Sequence, residues 1–171
     1  MQGINTTLDK TDLTELTADI ADVWKVSYYE DDFGKPTSDW FISTDTYITG
    51  KFSNSATTDS LLYTTIFVDA DDVSIFLIEY GRNYVKNSGR YDTDYNIKMR
   101  TADGTVYDMT GSIFPGADRI IVDKKYKDTI ITALCGSGDI DFYIVQADRT
   151  TTTYSFTATA ADFAEEYQAM K

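Results

Sequence analysis

From Leu61 to Tyr80 the chain reads LLYTTIFVDADDVSIFLIEY, and its apolar positions form two runs, Leu61 to Val68 and Val73 to Tyr80. The acidic turn Asp69-Ala70-Asp71-Asp72 separates them. Val73, Ile75 and Leu77 alternate with Phe76, Ile78 and Tyr80, so both faces of the second run are hydrophobic. A strand buried on both faces belongs inside a sheet and not at its edge. The spacing therefore predicts a core hairpin around which the other elements pack.

Elsewhere the period is mostly two. Asp22 to Tyr29 reads as a strand with the Trp24 face inward, followed by a loop over Glu30 to Thr37 containing acids, Gly34 and Pro36. Trp40 to Ser43 and Tyr47 to Ser53 read as short strands. Residues 81–90 are polar and read as an exposed loop. Tyr95 to Arg100 and Val106 to Thr110 flank Asp103-Gly104, a hairpin signal. Arg119 to Val122, Ile140 to Val145 and Thr153 to Thr159 are further strands. Lys125 to Leu134 is expected to be helical, because Tyr126, Ile130 and Leu134 recur every four residues and Gly136 stands where a C-cap glycine would. The β-formers Ile and Thr make a strand the competing assignment there. Ala160 to Met170 is expected to be a helix with Asp162 near its start and a docking stripe of Phe163, Tyr167 and Met170. Leu8, Leu13, Leu16 and Ile20 are spaced for a short helix, in a segment equally readable as a frayed leader.

Nine or ten short strands without βαβ alternation predict a mainly β protein: an antiparallel β-sandwich or barrel-like domain with one or two short peripheral helices, one of them C-terminal. Residues 1–21 form a polar N-terminal leader and residues 22–171 a single β-rich domain. Thirteen Tyr and nine Phe agree with pleated, half-buried surfaces.

Charge narrows the partners. A net charge of −13 argues against a surface that tracks nucleic-acid phosphates or anionic lipid, and no apolar run is long enough to span a membrane. The polar stretch Met1 to Lys10 has no signal-peptide core, which leaves either a cytosolic chain or an export signal absent from this sequence. The single cysteine, Cys135, lies in an apolar run and is expected to be a buried structural thiol.

The chemistry-bearing residues are sparse. With no histidine, the usual general base and commonest zinc ligand are missing. No Ser-x-x-Lys or phosphate-binding glycine motif occurs. The Asp69 turn fails as an EF-hand because Ser74 and Tyr80 occupy the Gly and Glu positions, and the Asp92 stretch fails with Ile97 in place of Gly. Glu79 closes an apolar run and calls for a partner, with Arg82, Arg100 and Arg119 as candidates. No catalytic residue, metal ligand or cofactor is nominated. The aromatic residues around the acidic loop nominate a binding surface instead: Asp32, Phe33, Trp40, Phe41 and Tyr47.

Trp24-Lys25-Val26, Asp32-Phe33-Gly34-Lys35-Pro36-Thr37, Gly50-Lys51-Phe52-Ser53-Asn54-Ser55-Ala56-Thr57-Thr58 and Leu77-Ile78-Glu79-Tyr80-Gly81 together resemble a group of small exported bacterial proteins, many of them predicted lipoproteins of anaerobic Gram-positive bacteria and spirochaetes. The lipobox cysteine of that group has no counterpart here. The resemblance implies an extracytoplasmic, cell-envelope location and no assigned activity. The leading expectation is a non-enzymatic binding domain for a protein or glycan ligand. The alternatives are an acidic inhibitor acting on a basic groove of a partner, and a carboxylate-based hydrolase.

Overall fold

The computed structural model describes residues 23–171. The leader and the helix suggested by Leu8 to Ile20 lie outside the described residues. The observed elements are β1 (Trp24–Glu30), β2 (Pro36–Thr44), β3 (Ile48–Ser53), β4 (Ser60–Asp69), β5 (Val73–Glu79), β6 (Asn83–Tyr84), β7 (Thr93–Arg100), β8 (Val106–Ile113), β9 (Ile120–Val122), α1 (Lys127–Leu134), β10 (Asp139–Gln146), β11 (Arg149–Thr159) and α2 (Phe163–Ala169). Every strand pairing is antiparallel.

The core hairpin forms as its pattern predicts, with Leu62 to Val68 opposite Glu79 to Val73. This pairing closes the sheet. The order β4-β3-β11-β10-β7-β8-β9-β5 returns to β4, giving an eight-stranded antiparallel barrel. Both hairpin strands fork along their other edge. β4 pairs with β3 through Ser60 to Thr64 and with β2 through Phe67 to Asp69. β5 pairs with β9 at Ser74 and Ile75 and with β6 at Ile78 and Glu79. The β1–β2 ribbon and the short β6 are thus appendages on the barrel wall.

Alternation fills the interior. Tyr95, Ile97 and Met99 of β7, Ile140, Phe142 and Ile144 of β10, and Tyr154, Phe156 and Ala158 of β11 are buried, while the residues between them face out. Phe142 and Phe156 are in-register partners and stack at 5.0 Å. Burial of each large side chain contributes on the order of 1.5–3 kcal/mol, and the centre is a packed core with no lumen required.

The helices complete this core. Lys124–Tyr126 makes a single 3₁₀ turn leading into α1, whose Ile130 and Leu134 are fully buried, so the helical spacing prevails over the β-propensity of Ile and Thr. Gly136 is not a left-handed cap. The helix ends through Cys135 N–H to the Ile131 carbonyl and Gly136 N–H to that of Ala133, and the left-handed glycine comes later, at Gly138 (φ 83°). Cys135 is half-buried, not enclosed, with its thiol pKa pushed up by desolvation. Asn87, expected in an exposed loop, is buried. Its side-chain amide donates to the Tyr91 and Ile113 carbonyls and its oxygen accepts from Gly89 N–H, so no polar atom is stranded.

A clasp joins the two ends of the described chain. Asp162 stands at the start of α2 but does not cap its own helix. Its carboxylate accepts hydrogen bonds from the Val23 N–H at 2.7 Å and the Trp24 N–H at 3.1 Å. The Trp24 indole N–H donates to the Thr159 carbonyl, and its ring meets Phe163 edge-on at 5.0 Å. Charge-assisted bonds of this kind are the stronger ones. Asp162→Ala leaves two backbone donors without their acceptor and is expected to lower stability by about 2–3 kcal/mol in urea unfolding; Phe163→Ala, which empties a core site, is expected to cost about 3–5 kcal/mol.

Candidate functional site

The five nominated residues do not form one patch. Asp32 and Phe33 stand at the tip of the β1–β2 ribbon, both exposed. Trp40 and Phe41 are consecutive on a strand and must face opposite ways. Trp40 turns toward α2, where its ring lies 6.3 Å from Tyr167. Phe41 lies on the outer face, stacked on Phe67 at 5.1 Å. Tyr47, in the β2–β3 connection, is 52% exposed and belongs to a groove on that outer face.

Phe41 is one member of an aromatic band that crosses the wall. Tyr29 packs on Phe41 at 4.9 Å, Phe67 on Phe76 at 4.8 Å, and Phe76 on Tyr84 at 6.2 Å. The Arg119 guanidinium lies 4.2 Å over the Phe76 ring, a cation–π contact. At one edge the Tyr29 hydroxyl donates to Asp69, and its pKa is pushed up to about 12, first by burial and then by that carboxylate. At the other edge Tyr47 and Tyr84 share a hydroxyl–hydroxyl hydrogen bond of 3.2 Å, which raises the Tyr84 pKa.

Between these tyrosines and the strands runs a groove of about 500 Å³. Phe67 and Phe76 supply apolar lining, Ser43, Asp45 and Thr46 supply polar groups, and Thr44 and Thr65 share a buried hydrogen bond of 2.9 Å. Tyr84 is 44% exposed. The sequence reading missed Tyr84, which sits in the polar stretch after Tyr80 and 37 residues from Tyr47.

A second groove, of about 650 Å³, lies on the wall formed by β3, β11, β10 and β7. Cross-strand register builds it. Lys51, Ser155, Tyr143 and Lys98 are successive partners in one row, and Thr157, Asp141, Arg100 and Val106 in the next. Arg100 pairs with Asp141 at 2.6 Å and Lys98 with Asp108, whereas Lys51 is in no ion pair among the described residues. Gly50 belongs to the same wall. A Cβ there would come 2.3 Å from the Ser155 carbonyl oxygen, so β3 can press against β11 only with glycine. Outward-phase positions of each strand are readable by alternation, but their grouping required the strand order.

Glu79 finds none of its expected arginine partners. Arg100 is paired with Asp141 and Arg119 with Asp118. Instead Glu79 accepts a hydrogen bond of 2.9 Å from the Tyr154 hydroxyl, a group buried on an inner-facing position of β11. The next residue, Tyr80, holds φ at 51°, a left-handed conformation costly for a bulky side chain. Its ring packs edge-on against Phe52 at 5.0 Å, which accounts for an aromatic residue there.

The acidic turn is self-satisfied in part: the Asp69 carboxylate accepts from the N–H groups of Asp71 and Asp72. One Asp72 oxygen is buried without a hydrogen-bond partner, with the Lys124 ammonium 3.9 Å away. Among the described residues no three Cys, Asp or Glu side chains are grouped to hold a metal ion, and no helix is long and apolar enough to cross a membrane.

The class defined by this geometry is an eight-stranded antiparallel barrel with a packed interior and two grooves on its outer wall. Compared with family models, curated proteins and solved structures, the chain matches none.

Burial, followed by the Glu79 charge, raises the pKa of Tyr95 to about 12, and the same causes raise that of Tyr154 further. In the unfolded chain both release their protons near the ordinary value of about 10. Stability is therefore expected to be at full strength below about pH 10 and to fall as pH rises toward about 12, since the unfolded state there binds fewer protons. Urea unfolding across that range, with tyrosinate absorbance as a second probe, measures it, and Tyr154→Phe is expected to flatten the fall.

Proposed function

We propose that this protein is a non-enzymatic binding module and that the Tyr47–Tyr84 groove takes a glycan. The observation that carries this reading is the exposed tyrosine pair over a lining that mixes aromatic rings with hydroxyls and a carboxylate. A sugar ring has an apolar C–H face and a hydroxyl edge. Tyr47, Tyr84 and the partly exposed Phe67 offer surfaces for the first, and Thr46, Ser43 and Asp45 offer partners for the second. Tyrosine suits this work because it brings large contact area with a polar tip and few rotatable bonds. The groove volume lies in the usual range for small-ligand sites. The extracytoplasmic, cell-envelope location is part of the same proposal and rests on the resemblance of the Trp24, Asp32–Thr37 and Gly50–Thr58 segments to exported proteins.

Screening the purified protein on a glycan array, followed by calorimetry with the best-retained sugar, tests the site. Tyr47→Ala and Tyr84→Ala are each expected to weaken binding by at least about 10-fold, the equivalent of roughly 1.4 kcal/mol, while leaving the fold intact by circular dichroism. Tyr143→Ala, in the other groove, is expected to change nothing. Wild-type affinity in the double tyrosine variant, or no glycan retained above background, overturns the reading. For the location, mass spectrometry of the N-terminus in source cells is expected to find a processed or lipidated chain; initiation at Met1 with no processing counts against it.

A further inference from the structure

The β1–β2 ribbon is held to the barrel wall by three β2–β4 pairs, Phe41 to Ser43 against Asp69 to Phe67. Residues 30–36, at its far end, are all exposed. This end is nevertheless rigidly built. The Asp31 carboxylate accepts from the N–H groups of Phe33 and Lys35, each at 2.9 Å. Asp31 N–H donates to the Lys35 carbonyl and Gly34 N–H to that of Asp31, with Gly34 at φ 73° as the bulge requires. On this fixed turn Phe33 holds its ring 88% exposed. A large apolar ring displayed on a pre-ordered turn loses little conformational freedom on insertion into a partner, which is what an anchor residue needs. Its neighbours Glu30, Asp31 and Asp32 outnumber Lys35, so the ring is set among excess negative charge.

The complementary surface is on the same chain. The groove across β3, β11, β10 and β7 has apolar lining from the outward-facing Val106 and Tyr143, and its rim carries Lys51, Lys98 and Arg100 against the single acid Asp141. Lys51 has no acidic partner among the described residues, in a protein whose net charge is −13. An acid-flanked phenyl ring and a base-rimmed apolar groove match in both charge and polarity.

We propose that the ribbon tip of one copy docks in the basic groove of a second copy, with Phe33 inserted and Asp32 facing Lys51. The interface is heterologous. Each copy keeps one free tip and one free groove, so assembly continues to a ring or an open chain. The contact is small, which places it among weak, salt-sensitive associations. It is separate from the Tyr47–Tyr84 groove and holds or fails independently of glycan binding.

Sedimentation equilibrium of the full chain tests it. The expected result is association that grows with concentration and weakens with added salt. Phe33→Ala is expected to weaken it at least about 30-fold, and the charge reversal Lys51→Glu/Lys98→Glu to abolish it. Phe33→Ala retains a working groove and the charge-reversed variant a working tip, so a mixture of the two is expected to form one-to-one pairs and nothing larger. A wild-type protein that stays monomeric up to about 1 mM overturns the proposal. So does association that survives Phe33→Ala unchanged, or a mixture that fails to pair while both variants keep wild-type circular dichroism.

Discussion

The hydrogen bonds between β4 and β5 hold the architecture together. A strand has two edges, and an open sheet of this length would leave its terminal strands exposed along their whole length. By pairing with each other from Leu62 to Val68 and from Val73 to Glu79, these strands turn an open sheet into a cylinder. Closure places Ile66, Val68, Ile75 and Leu77 in an interior without solvent contact. It also sets the forks at which the ribbon and β6 leave the wall. The aromatic band owes its position to the same pairing, since Phe67 and Phe76 are outer-face residues of the closing strands and lie 4.8 Å apart only because those strands are neighbours.

Much of this was legible in the residues. The double-sided apolar character of 73–78 marks a strand with cover on both faces, and the cover exists: core on one side, Tyr84 and Arg119 over Phe76 on the other. Asp103-Gly104 lies in the β7–β8 turn, and the four-residue repeat of Ile130 and Leu134 shows in a helix. Local pattern could not reveal the forks, because they depend on which strands compete for one edge. Nor could it assign Asp162. An aspartate at a helix start reads as an N-cap, and here its carboxylate instead accepts from two N–H groups nearly 140 residues away.

The site was less legible for the same reason. Phe33, Trp40, Phe41 and Tyr47 are close in sequence and read as one surface; the fold sends them to three places, the ribbon tip, the α2 side and the outer face. Glu79 needed a partner, and charge alone pointed to arginine. A neutral hydroxyl on β11 serves, since a buried tyrosine O–H requires an acceptor as much as the carboxylate requires a donor. Lys51 and Lys98 belong to strands far apart in the chain and become neighbours only through β10 and β11.

The Asp162 clasp also orders events in time. A ribosome releases Trp24 well before Thr159, Asp162 and Phe163, yet the first strand is completed by hydrogen bonds to all but the last of these and by the ring of Phe163. Until the C-terminal helix emerges, β1 and the Trp24 indole lack their final partners, and β3 lacks β11. The nascent chain therefore carries unpaired strand edges and an uncovered indole throughout synthesis of the stretch between Trp24 and Phe163. Folding of the barrel waits on β11 and α2, with the long-range contacts that make such topologies slow. Truncation back through Asp162 would consequently act on the first strand of the ribbon, not merely on the segment removed.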